Sequence, residues 1–118
     1  MTLSIRRVYA PATPDDGHRV LVDRLWPRGL AKDCARVDEW LREVAPSTEL
    51  RRCFGHDPAR WPEFKHRYWA ELQAEPAATA VARLRSLAAR GNVTLLYAAK
   101  DETHNNAQAL LEFLEGGG

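Results

Sequence analysis

Arg19-Val20-Leu21-Val22-Asp23-Arg24-Leu25-Trp26-Pro27-Arg28-Gly29, residues 19–29, decides how the rest of the chain is read. Val20, Leu21 and Val22 form an unbroken apolar run rich in β-branched side chains. That is the pattern of an inner strand covered on both faces. The run stops at Asp23 and Arg24. Pro27 fixes its own φ and pushes Trp26 toward an extended backbone, while Gly29 permits a turn. The stretch reads as a buried strand passing into a rigid loop that carries two arginines and an aspartate. Open α/β sheets bind ligands at the carboxyl ends of their strands, so the residues leaving this strand mark a candidate site.

Working outward, Leu3, Ile5, Val8 and Tyr9 predict a first strand, followed by a turn cluster of Pro11, Pro14, Asp15, Asp16 and Gly17. The second strand covers residues 18–24. Residues 32–44 predict a helix, because Val37, Trp40, Leu41 and Val44 fall at i, i+3, i+4 and i+7. Ser47 is an N-cap for a short helix through Phe54, closed by Gly55. Asp57-Pro58 starts the next helix, with Trp61, Phe64, Tyr68 and Leu72 as its apolar stripe. Pro76 opens another, and Gly91 closes it. Val93 to Ala98 is a third strand. A last helix buries Ala107, Leu110, Leu111 and Leu114, with residues 116–118 as a frayed tail.

Strands separated by helices require crossover connections. The predicted fold is a single α/β domain over residues 1–118. It has a small, mainly parallel sheet of three to four strands flanked by about five helices, in a Rossmann-like three-layer arrangement. Three strands make a small sheet, so a further short strand or a homodimer contact is expected to complete it.

Composition narrows the function classes. A net charge of +1 provides no global field for nucleic acid or an anionic membrane. No apolar run approaches the roughly 20 residues of a membrane span. Arg6 and Arg7 precede no signal-like apolar segment, so a cytoplasmic location is the expectation. Arg outnumbers Lys fourteen to three, and Arg suits bidentate recognition of carboxylate or phosphate. Cys34 and Cys53 lack CxxC spacing and are expected as free thiols, with Cys53 packed beside Phe54.

The second strand exits through Asp23, Arg24 and Arg28, and the third through Lys100, Asp101 and His104. If the two strands are parallel neighbours, these groups share one sheet edge, a mixture suited to an anionic ligand, a proton transfer, or both. The bland alternative is an Asp–Arg network that locks strand to loop. Asn105 and Asn106 open the last helix, where free N–H groups attract anions and where Thr103 or Asn105 would equally serve as a cap. His56 and His104, with a carboxylate such as Asp23 or Asp57, are the candidate ligands for a divalent metal, zinc or iron. No HxH or HExxH spacing supports them. Trp61, Phe64, Tyr68 and Trp69 have the spacing of a core stripe, and no nucleic-acid partner is expected of them.

His18 to Gly29, Ala45-Pro46-Ser47-Thr48-Glu49-Leu50-Arg51, Phe54-Gly55-His56-Asp57-Pro58, and Thr94-Leu95-Leu96-Tyr97-Ala98-Ala99-Lys100-Asp101 with His104-Asn105-Asn106-Ala107 occur in this order. Together they resemble the YeaO-like branch of Domain of Unknown Function 488, across almost the whole chain. The resemblance implies a small bacterial or archaeal α/β protein and no established activity. More distant members carry a Cys-Glu…Cys-His-Arg type strand end, whose cysteines are absent here.

The resulting expectation is a pocket at the strand ends. Arg24 and Arg28 would hold an anionic group, Asp23 would orient an arginine or act as a base, and Lys100 and His104 would complete it. His56 would stand at the rim. An enzyme acting on a small anionic or nucleotide-like molecule is the leading reading. A non-catalytic binding or sensor module and a mononuclear metal protein are the alternatives.

Overall fold

Val20, Leu21 and Val22 are fully shielded from solvent, and their place in the sheet explains why. In the computed structural model, which describes residues 2–116, four parallel strands form one sheet. They are β1 (Leu3–Arg7), β2 (His18–Leu21), β3 (Glu39–Trp40) and β4 (Val93–Tyr97), in the order β1-β4-β2-β3. Both β2 and β4 are therefore inner strands. Val20 and Val22 face the main core together with Val93, Leu95 and Tyr97. Leu21 and Leu96 face the other side. Burying each such side chain stabilises the fold by roughly 1.5–3 kcal/mol.

Among the described residues there are five α-helices: α1 (Lys32–Ala35), α2 (Thr48–Phe54), α3 (Trp61–Leu72), α4 (Ala77–Arg90) and α5 (Asn106–Gly116). The layers are unequal. Leu50, Phe54, Phe64, Tyr68, Leu84, Leu110 and Phe113, from α2 to α5, fill the core on one face. The opposite face is covered by Trp26, Leu30, Val37 and Trp40, which come from irregular segments and the short β3.

The helix predicted over residues 32–44 forms only over Lys32–Ala35. It stops after Ala35 because Arg36 adopts a left-handed conformation (φ 52°, ψ 40°). The chain then returns along the open edge of β2. The Arg19 N–H donates to the Asp38 carboxylate at 2.9 Å, the Asp38 N–H donates to the Arg19 carbonyl at 2.8 Å, and the Leu41 N–H donates to the Leu21 carbonyl at 2.9 Å. The fourth strand lies inside the segment that the apolar spacing assigned to a helix. Val37, Asp38 and Trp40 are weak helix formers, and an unpaired inner-strand edge offers their backbone a full ladder.

Other boundaries shift less. Asp57 is a cap, accepting the Ala59 N–H at 3.0 Å, but it caps a 3-10 turn (Pro58–Arg60) that leads into α3 at Trp61. On α5, Ala107 and Leu110 are buried while Leu111 and Leu114 are only partly so, and Phe113 takes a buried position. Residues 117 and 118 of the predicted frayed tail lie outside the described residues. Among the described residues no helix is long and apolar enough to cross a membrane.

Candidate functional site

The parallel register from His18 opposite Val93 to Leu21 opposite Leu96 brings the ends of β2 and β4 side by side. One step further, the Val22 N–H donates to the Leu96 carbonyl at 3.1 Å. Beyond that the Asp23 side chain continues the ladder, Oδ2 accepting the Ala98 N–H at 3.0 Å. Its Oδ1 accepts from Asn106 Nδ2 at 3.0 Å, and the same amide donates to the Val22 carbonyl at 3.1 Å. One carboxylate thus ties the exits of two strands to the start of α5. Burial pushes the Asp23 carboxyl up from its ordinary value; the Asn106 amide, the Ala98 N–H and the charge of Arg51 pull the other way without overcoming it. The Asp–Arg network anticipated as the bland alternative is not formed at Asp23, whose carboxylate takes N–H donors of Ala98 and Asn106 instead of a guanidinium.

The loop after β2 is pinned by its aromatic residues. The Trp40 indole donates to the Asp23 carbonyl at 2.8 Å, and the Trp26 indole donates to the Leu30 carbonyl at 2.7 Å. The two indoles meet edge to face, 5.5 Å between centroids. Tyr9 donates its hydroxyl to the Arg28 carbonyl at 2.8 Å. Pro27 is buried, and Gly29 turns the chain at φ 74°. These contacts hold the backbone of Arg24 and Arg28 while both side chains remain exposed.

Facing this loop is α2. Ser47 caps it, accepting the Leu50 N–H at 3.2 Å. The Ser47 N–H and hydroxyl both donate to Glu71 of α3, at 2.9 and 2.6 Å. The helix is therefore fastened to α3, with Leu50 and Phe54 buried and Arg51 and Arg52 outward. Between the loop and the helix lies a cleft of about 580 Å³. Its polar wall holds Arg24, Arg28, Arg51, Arg52 and Asp23, and its apolar wall includes Leu25, Trp26, Phe54 and Phe64. Among the described residues no carboxylate pairs with any of these four arginines.

Asp23, Arg24, Arg28, His56, His104, Asn105 and Asn106 all line this one cleft, as the strand-exit reading expected. Lys100 does not; it is exposed and outside the lining. His104 Nδ1 lies 3.2 Å from Asp101 Oδ2 and 3.0 Å from Thr103 Oγ1, and its ring meets Trp61 edge-on at 5.3 Å. Asp101 also accepts the N–H groups of His104 and Thr103, both at 2.9 Å. These bonds, His104 first, hold the Asp101 carboxyl well below the usual carboxylate range. Asn105 is the α5 cap: Oδ1 accepts the Gln108 N–H at 2.8 Å, and Nδ2 donates to the Asp101 carbonyl at 3.0 Å. Its amide is engaged within the fold at both ends.

His56 is exposed and left-handed (φ 57°), a conformation that His tolerates better than β-branched residues do. His56 and His104 are the two imidazoles of the cleft. Among the described residues no group of three His, Cys, Asp or Glu side chains converges on a metal position, and structural and catalytic zinc sites alike use at least three protein ligands. Cys53 is exposed rather than packed, because Leu50 and Phe54 take the buried face of α2; Cys34 is likewise free and exposed.

Arg51, Arg52, Phe54 and Phe64 were not among the expected site residues. The sequence places a short helix here, from the Ser47 cap through Phe54. Nothing in local spacing says that this helix faces the β2 exit.

The family model described as "Inactive DUF488-N3 subclade" matches residues 2–117. The chain is 44% identical to the uncharacterized protein YeaO of Escherichia coli (strain K12), over 97% of each chain. It is 45% identical to the uncharacterized protein Rv3073c of Mycobacterium tuberculosis (strain ATCC 25618 / H37Rv), over 95% of this chain and 92% of that protein. No solved structure matches it. A match of this extent, with the strand-exit motifs meeting in one cleft, places the chain in the DUF488 family, in its YeaO-like branch.

Proposed function

We propose that the cleft binds a small anionic molecule and that the protein acts by holding this ligand rather than by transforming it. The observation that carries the reading is the set of four arginines, from two elements fixed by separate anchors, lining one cleft without a carboxylate partner among the described residues. Unpaired guanidinium groups in a concave site favour an incoming carboxylate or phosphate. Binding without turnover is supported by Asp23, whose two oxygens each accept an N–H from within the fold and serve to close it. The family description "inactive" agrees with that reading.

The test is a thermal-shift series of the full chain with phosphate, pyrophosphate, small dicarboxylates and mononucleotides. A ligand at a hundred times its Kd stabilises by about 2.7 kcal/mol, on the order of 10 °C for a domain of this size. Arg51→Ala and Arg24→Ala each reduce the shift, and the recovered ligand is chemically unchanged. If no anion at millimolar concentration shifts the transition, the anion reading fails. If the ligand is consumed and His104→Ala abolishes its consumption, the enzymatic reading replaces the binding one.

A further inference from the structure

We propose that the ligand of this cleft is a phosphate ester with a flat aromatic or heteroaromatic body, of about the size of a mononucleotide. The inference rests on the anion reading above and adds the chemistry of both ends of the ligand.

The phosphate end follows from charge. Four guanidinium groups and a single carboxylate, Asp23, line the cleft. Three positive charges are left uncompensated within it. A ligand carboxylate neutralises one of them. A phosphate ester carries roughly −1.5 to −2 at neutral pH and presents three strong acceptor oxygens. It therefore answers more of the cleft's positive charge than a carboxylate does, and offers acceptors to arginines of both the loop and the helix.

The aromatic end follows from size and exposure. A cleft of about 580 Å³ is far larger than inorganic phosphate and sits in the range that holds organic ligands. Leu25, between Arg24 and Trp26, lines it while 69% exposed; Tyr9 at 43% is the other large exposed hydrophobic side chain among the described residues. Covering Leu25 removes apolar surface from water, which a bare anion cannot do. Trp26, only half-buried, continues the same apolar wall beside Leu25. A net charge of +1 on the whole chain provides no extended field for a polymer, which favours a single ester over a nucleic-acid strand.

Calorimetric titration of the full chain with inorganic phosphate, phenyl phosphate, adenosine 5′-monophosphate and adenosine tests this. The two esters bind at least about tenfold tighter than phosphate, and adenosine binds at least about tenfold weaker than its monophosphate. Leu25→Ala, a change at an exposed side chain, lowers the ester preference several-fold and leaves phosphate affinity unaltered. Arg51→Ala weakens phosphate and both esters alike. If phosphate binds and the esters bind no tighter, or if adenosine equals its monophosphate, this inference is overturned while the anion pocket stands in the first case. If neither phosphate nor either ester binds, the inference and the anion reading fall together.

Discussion

Asp23→Asn separates a structural tie from a charged clamp. In the native protein Oδ1 and Oδ2 each accept one hydrogen bond at 3.0 Å, from Asn106 and Ala98. Asparagine keeps one acceptor and places an NH₂ where the other stood, so one donor meets a donor. Asn106 cannot turn its own oxygen toward the site without giving up its bond to the Val22 carbonyl. A donor left unpartnered in a part-buried position costs about 1–3 kcal/mol. The pH dependence carries the sharper information. Burial raises the Asp23 carboxyl above its ordinary value of 3.8. Its contribution to stability is therefore fully present below that value and declines as pH rises through the higher native one. The variant has no such decline. Urea denaturation at pH 3.5, 5 and 7.5, buffered at constant ionic strength, measures the difference between the two proteins. The penalty of Asp23→Asn is expected to be largest at acid pH and to shrink toward a plateau. A penalty that grows with pH would mean that Arg51 holds the carboxylate ionised, and would refute the burial argument.

Gly17→Ala places a Cβ 2.2 Å from the Asn92 carbonyl oxygen in a backbone at φ 64°. It is expected to cost roughly 3 kcal/mol in chemical denaturation, and a neutral result would contradict the close approach of the turn to the start of β4. Asp16 is buried, which by itself raises its carboxyl; the Thr13 N–H and hydroxyl with Arg6 and Arg19 outweigh this and hold it well below its ordinary 3.8. That stabilisation is present above pH 3.8 and lost as pH falls from there toward the native value, so the melting temperature drops as the pH is taken below 3.8 and Arg6→Met makes the drop shallower.

Much of the site was legible because it follows directly from a strand. The apolar run Val20 to Val22 and the run Val93 to Ala98 are each too apolar to be exposed on either face; the first is followed directly by Asp23 and Arg24, the second, after Ala99, by Lys100 and Asp101. Two such strands in a small sheet become neighbours, and parallel neighbours finish on the same edge. Asp23, Arg24, Arg28, His104 and Asn106 were reachable in that way. The same logic failed for residues 32–44, where apolar spacing of the helical kind was produced by residues that serve two different cores. Val37 and Trp40 belong to the loop-covered face, and Val44 to the helical one. Spacing records that a side chain is buried, not against what.

The sequence by itself determined β1, β2 and β4, the caps at Ser47 and Asp57, and the ionisable groups that follow β2 and β4, because each depends on residues a few positions apart. Only the tertiary structure decided that α2 lies across the exit of β2, bringing Arg51 and Arg52 to the same cleft as Arg24 and Arg28. That placement comes from Ser47 bonding Glu71, 24 residues away, and from the fit of Phe54 against Phe64 at 4.6 Å. Long-range packing of this kind leaves no period in the chain, since the partners are chosen by shape and hydrogen bonding in three dimensions.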